Sequence, residues 1–240
     1  MLHMVELRPD LKALLRYLAS QGQNLKDGDD LGYGVHAWMA AAFGDLTPKP
    51  WRLFVDNRRP PRILGYSSHD ATALRQVLKE FADPGVFAVT ADPDLMIASR
   101  AMPIFNADRR LGFELLASPV GRKASTGAEK DLFLIRADES NGQALRRDVV
   151  YKDWAREWLE REGACTVTGI EMSGFRLVRM TRQTQDKSNR RVRRHLIRPQ
   201  ALLQGELIVQ DQEAFKILLS RGVGRHRAFG YGMLLLKPVS

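Results

Sequence analysis

Read by the spacing of its apolar residues, the chain runs strand, helix, strand, strand, helix, strand, and then repeats that order. In the first half, residues 2–7 have strand character and residues 10–19 carry one or two amphipathic helical turns. A polar stretch, 21–28, follows. Asp29 and Asp30 are placed to cap a helix that runs to about Phe43 and is ended by Gly44 and then Pro48. Trp51–Asp56 and residues 62–67 read as two strands of a hairpin joined by a Pro-Pro turn. The spacing of Ala73, Leu74, Val77, Leu78 and Phe81 predicts a helix with Asp70 as its cap, and residues 95–99 supply the last strand.

The second half reads in the same way. Residues 111–117 form a strand, followed by a polar stretch through Gln143. Residues 149–161 are helical, with Val150, Trp154, Ala155 and Trp158 inward. Strands are predicted at 165–170, 175–180 and 201–209, a helix at 212–219 and a closing strand at 231–237. This order, met twice, predicts an α+β chain of two tandem ferredoxin-like (βαββαβ) domains with a C-terminal glycine-rich loop. The expected domains are 1–105 and 106–240, joined near residues 102–109.

Charge narrows the function. The chain carries a net +9, and residues 179–198 hold Arg179, Arg182, Lys187, Arg190, Arg191, Arg193, Arg194 and Arg198 against one acid, Asp186, a local +7. Such a run tracks the phosphates of a polyanion and releases counterions on binding. Arginine forks suit phosphates and guanine edges better than lysine does. The stretch has no aromatic residue on which single-stranded bases could stack, which favours a folded duplex stem. A solvated basic loop is the plainer alternative. No apolar run is long enough for a membrane span, and residues 1–11 show no secretory signal. One cysteine, Cys165, offers no intramolecular disulfide. A cytoplasmic protein is expected.

Two further patches carry chemistry. Tyr33 and His36 lie three residues apart, so both side chains leave one helix face, while Val35, Met39 and Ala42 make the packing face. Histidine gives and takes a proton near neutral pH. In RNA the 2′-hydroxyl is an internal nucleophile beside each phosphate, so a positioned acid and base suffice for cleavage without a metal. On spacing alone, an ordinary satisfied helix histidine is the favoured reading of His36. The second patch is the loop Gly222-Val223-Gly224-Arg225-His226-Arg227, continuing through Gly230 and Gly232. Its glycines allow close backbone approach to a ligand, and Arg225 and Arg227 suit an anionic backbone. It follows a helix and precedes a strand, the reverse of a dinucleotide fingerprint, and a ligand-free connection is the alternative. The five histidines are scattered without metal-ligand spacing, so no metal and no cofactor are expected.

At these residues the sequence resembles the CasE family of CRISPR-associated endoribonucleases, within the wider superfamily of repeat-associated RNA-binding proteins. Tyr33-x-x-His36, with Phe43 seven residues on, is similar to the family's catalytic helix. Phe113-x-Leu115-x-Ala117-x-Pro119, followed by Arg122 and Lys123, is similar to the first strand of its second domain. The last helix, the glycine-rich loop and residues 234–238 resemble its closing signature. The resemblance implies cleavage of CRISPR precursor RNA at the base of the repeat hairpin, with a 2′,3′-cyclic phosphate product. It also implies that the enzyme stays bound to the guide among other effector-complex subunits. His36 would then be the general acid or base and Tyr33 its helper. RNA contacts would come from Arg122, Lys123, Lys187, Arg190, Arg191, Arg193, Arg194, Gly222, Gly224, Arg225 and Arg227, with Arg191, Arg193 or Arg194 steadying the phosphorane. A non-catalytic RNA-binding subunit of the same fold is the alternative.

Overall fold

The computed structural model describes residues 1–23, 31–56, 58–122, 128–140, 144–185 and 191–239, and for 181–185 and 191–195 the backbone alone. It divides into two compact units, Met1–Pro103 with Ala228–Gly230, and Ile104–Arg227 with Tyr231–Ser240. Both have the βαββαβ plan and an antiparallel four-stranded sheet.

The first unit consists of β1 (His3–Leu7), α1 (Leu11–Ser20), α2 (Gly32–Phe43), β2 (Trp51–Asp56), β3 (Arg59–Ser67), α3 (Ala71–Phe81), the short α4 (Pro84–Phe87) and α5 (Pro93–Met96), and β4 (Ile97–Ala101). Its sheet order is β2-β3-β1-β4. One sheet face, with Val5, Leu7, Ile63 and Ile97, shares a core with Leu14 and Leu18 of α1, Val35, Trp38 and Phe43 of α2, and Leu74 and Leu78 of α3. Side chains of this size each contribute about 1.5–3 kcal/mol when fully buried. Asp10 caps α1 by accepting from the amides of Lys12 and Ala13, and Asp70 caps α3 by accepting from Ala73.

Several expectations for this half are corrected. Leu31, without a side-chain hydrogen bond, occupies the cap position of α2; Asp29 and Asp30 lie outside the described residues. Pro60 and Pro61 sit inside β3 rather than in the turn, which falls between Asp56 and Arg59. Proline is tolerated there because pairing of β3 with β1 begins only at Ile63 and the β2–β3 register shifts between Phe54 and Asp56, which leaves Pro60 and Pro61 out of both ladders. Phe81, expected inward, is 77% exposed at the last residue of α3.

The second unit consists of β5 (Arg110–Ala117), β6 (Val120–Arg122), β7 (Glu129–Asp131), α6 (Leu132–Glu139), α7 (Arg147–Leu159), β8 (Cys165–Gln185), β9 (Arg191–Val209), α8 (Gln212–Arg221) and β10 (Leu234–Lys237). Its main sheet runs β10-β5-β9-β8, and β6 and β7 pair separately. The expected polar stretch after β5 thus contains two strands and a helix. On α7 the buried residues are Tyr151, Trp154, Ala155 and Leu159, whereas Val150 and Trp158 are half-buried. The two strands expected at 165–180 are one. Bulges between Val167 and Gly169 and between Met172 and Gly174 absorb the glycines that read as breaks. Pairing of β9 with β5 ends at Ala201, while its pairing with β8 continues out to Gln185 and Arg191, making a two-stranded ribbon. No helix among the described residues is long and apolar enough to cross a membrane.

Candidate functional site

Core packing sets the rotation of α2. Val35, Trp38, Met39, Ala42 and Phe43 are buried, and the Trp38 indole donates to the Val86 carbonyl at 3.1 Å. Gly34 lets the helix come this close to α1. A Cβ there would lie 2.5 Å from Leu18 Cδ1, and Leu18 is itself fully buried and cannot retreat. The face that remains carries Tyr33 and His36, both half-buried.

The two rings meet a third. His36 packs edge to face on Phe229 at 5.2 Å between centroids, and Tyr33 lies 6.0 Å from the same ring. Phe229 belongs to the short segment Ala228–Gly230 of the glycine-rich loop, which is counted in the first unit. That segment is held by Trp51, whose indole donates to the Ala228 carbonyl at 3.1 Å.

His36 Nδ1 is buried and finds no hydrogen-bond partner among the described residues. Burial, and secondarily the positive charge of Lys49, hold the His36 pKa below the ordinary histidine value. Both causes favour the neutral imidazole, the form in which one ring nitrogen can act as a base. Sequence reasoning overlooked Lys49. It is an exposed residue between two buried prolines, Pro48 and Pro50, and its amide donates to the Tyr66 carbonyl at 2.8 Å. The Pro-Lys-Pro run at the entrance to β2 was the available signal.

In the second unit the loop residues are brought together with Arg122 through an acid that the sequence did not single out. Arg122 of β6 stands opposite Glu129 of β7. Glu129 accepts from Arg225 Nε at 2.6 Å, and its other oxygen lies 3.0 Å from His226 Nε2 and 3.4 Å from Arg198 Nε. Burial alone would raise the Glu129 pKa, but the His226 hydrogen bond and the surrounding cations outweigh it and bring it down to about 2. Gly222 closes α8 by donating to the Leu218 carbonyl. Gly224 takes φ +74° against Trp154, where a Cβ would lie 2.6 Å from the indole. Arg227 donates to the Arg221 carbonyl at 2.5 Å.

The ribbon candidates are less defined. Lys123, Lys187 and Arg190 lie outside the described residues. Arg191, Arg193 and Arg194 stand in β9 opposite Gln185, Gln183 and Arg182, with side chains outside the description. A second buried network was also missed. Asp131 accepts from Tyr151 Oη at 2.7 Å and from Arg147, whose guanidinium stacks on Phe133 and Phe175. Among the described residues, no group of three His, Cys, Asp or Glu side chains is arranged to hold a metal ion.

The sequence profile described as "CRISPR associated protein" matches residues 2–238. Among curated proteins no sequence relative matches. Three solved structures share the fold along the whole chain. The CRISPR endoribonuclease Cse3 bound to 19 nt RNA is similar at 20% identity and TM-score 0.64, covering 98% of this chain and 100% of that one. The CRISPR-associated protein Cas6e from Escherichia coli str. K-12 is similar at 14% identity and TM-score 0.55, with all of both chains covered. A chain of a CRISPR RNA-guided surveillance complex is similar at 16% identity and TM-score 0.51, covering 99% of this chain and 100% of that one.

Proposed function

The chain belongs to the CRISPR-associated protein family, and from that premise we propose that it is an endoribonuclease that cuts CRISPR precursor RNA at the base of the repeat hairpin. The observation that carries the reading is His36. Its ring is half-buried, one helical turn from Tyr33, in contact with Phe229, and biased toward its neutral form by burial and by Lys49.

A neutral imidazole beside a ribose can take the proton of the 2′-hydroxyl as that oxygen attacks the adjacent phosphorus. The imidazolium so formed can then give that proton to the departing 5′-oxygen. The P–O5′ bond breaks as the P–O2′ bond forms, leaving a 2′,3′-cyclic phosphate and a 5′-hydroxyl. No water is consumed and no metal is required. Acid–base help of this kind is worth roughly 100- to 10,000-fold. Tyr33 assists as a hydroxyl on the same face. Lys49 supports the extra negative charge of the phosphorane, because a cation felt by His36 is also felt by a phosphate beside it.

The Arg191, Arg193 and Arg194 run and the loop residues Arg225 and Arg227, with Gly222 and Gly224, hold the stem. Arg122, Lys123, Lys187 and Arg190 are further candidates for phosphate contact by charge alone. The fold shared with Cse3 bound to RNA and with a chain of an RNA-guided surveillance complex supports a subunit that keeps its processed guide among other proteins.

The test is cleavage of a cognate repeat transcript by wild type and His36→Ala in excess EDTA. Wild type should cut, the variant should not, and both should bind equally. Equal cutting by the two would remove His36 from the chemistry. A chain that binds the hairpin and never cuts would be the non-catalytic subunit instead. A requirement for added metal, or continued cutting of a transcript with hydrogen at the scissile 2′ position, would overturn the mechanism.

A further inference from the structure

Within the second unit, Glu129 draws basic groups from separate parts of the fold. Arg225 and His226 come from the glycine-rich loop, and Arg198 from the stem of the basic ribbon, where it stands opposite Val178. The Glu129 side chain is only 14% exposed and its strand β7 is paired with Arg122 of β6, so the carboxylate is an anchor within the fold.

Two features argue that the contact orders the loop. His226 has φ +62°, a backbone region costly for residues other than glycine, and its ring nonetheless reaches Glu129 at 3.0 Å. Glycine-rich segments also lose the most conformational freedom when they are fixed. A loop already fixed before RNA arrives avoids that cost on binding. The carboxylate does not cancel the cations either. Arg198 and Arg225 together outweigh Glu129, and while Arg198 and His226 are largely buried against the carboxylate, the Arg225 side chain is still 42% exposed.

We propose that Glu129 is a positioning residue that, with the largely buried Arg198 and His226 packed against it, fixes the exposed Arg225, so that the glycine-rich loop presents a preformed cationic edge selective for a rigid RNA stem. This rests on the hairpin-binding reading above. A floppy loop could follow any single strand, whereas a fixed edge matches phosphates only at duplex spacing.

The experiment compares the affinity of the full-length protein for a repeat hairpin and for an unstructured RNA of equal length, across a salt series. Wild type, Glu129→Gln and His226→Gly are measured, and their folding is checked by thermal denaturation. Glycine accepts the positive φ of residue 226, so His226→Gly removes the ring's interaction without backbone strain. Both variants should lose roughly tenfold or more in hairpin preference, the scale of removing one hydrogen bond to a charged group, and keep affinity for unstructured RNA. An unchanged preference in either folded variant overturns the proposal. Tighter hairpin binding by Glu129→Gln also overturns it, since the carboxylate would then merely oppose phosphate. If Glu129→Gln does not fold, His226→Gly decides. If wild type itself shows no hairpin preference, the hairpin reading falls and takes this proposal with it; if only the variants match wild type, the proposal falls alone.

Discussion

The imidazole of His36 stands at 89° to the ring of Phe229, edge against face, with 5.2 Å between their centres. A residue of the first-half helix is thereby seated on a residue 193 positions later in the chain, a contact that fixes the ring's direction and shields part of it from water. Both effects bear on how the histidine titrates.

Because burial and Lys49 hold the His36 pKa down, Lys49→Ala should raise it toward the ordinary histidine value. The sign for stability follows. An unfolded chain binds a proton at His36 before the folded one does, so the folded state loses ground as pH falls below about 6.5. NMR titration of the His36 ring in both proteins checks the shift, and the acidic limb of the cleavage pH profile, where the ring loses its proton, should move with it. Identical titrations would mean that the lysine's charge does not reach the ring.

Gly34 gives a packing test whose sign reverses with background. Gly34→Ala should destabilise the wild type, by about 1–3 kcal/mol of overpacking less the helix propensity gained. In a Leu18→Ala background the same change should be neutral or stabilising, by up to about 1 kcal/mol. Urea denaturation of the four proteins measures the coupling. Simple additivity would separate the two residues.

Neutralising Arg190, Arg191, Arg193 and Arg194 to glutamine should weaken hairpin binding and lower its salt slope by up to about 4, near one unit for each phosphate left without its arginine. A slope equal to that of wild type would locate the stem away from the ribbon.

Glu129 should leave a mark on acid stability. Its pKa is depressed from 4.5 to about 2, so its stabilising contribution is full above about 4.5 and disappears as pH falls toward 2. Between those limits the denaturation midpoint of wild type should fall more steeply than that of Glu129→Gln. Parallel curves would show that the carboxylate is not held as an anion by the fold.

The βαββαβ order of both halves was legible because apolar periodicity reports on residues close in sequence. Asp70 capping α3 and the packing face Val35, Met39 and Ala42 were legible for the same reason. What escaped depends on distant partners. No residue of α6 is fully buried, and its apolar residues, Leu132, Phe133, Leu134 and Ile135, stand in one run rather than at helical spacing. The continuity of β8 was hidden by Gly169 and Gly174, whose bulges make sense only beside β9. Glu129 finds Arg225 and His226 across nearly a hundred residues, and Lys49 acts on His36 through space. Tyr33 and His36 could be named from their motif. Their shared neighbour Phe229 could not.

Beyond Ala201, toward Arg191, no third strand is hydrogen-bonded to the β8–β9 ribbon among the described residues, whereas the helix bearing Tyr33 and His36 is packed into a core. If the proposed function holds, substitutions in the ribbon would alter target preference under looser packing constraints than those on that helix, and a lineage facing a new repeat could retune one without rebuilding the other.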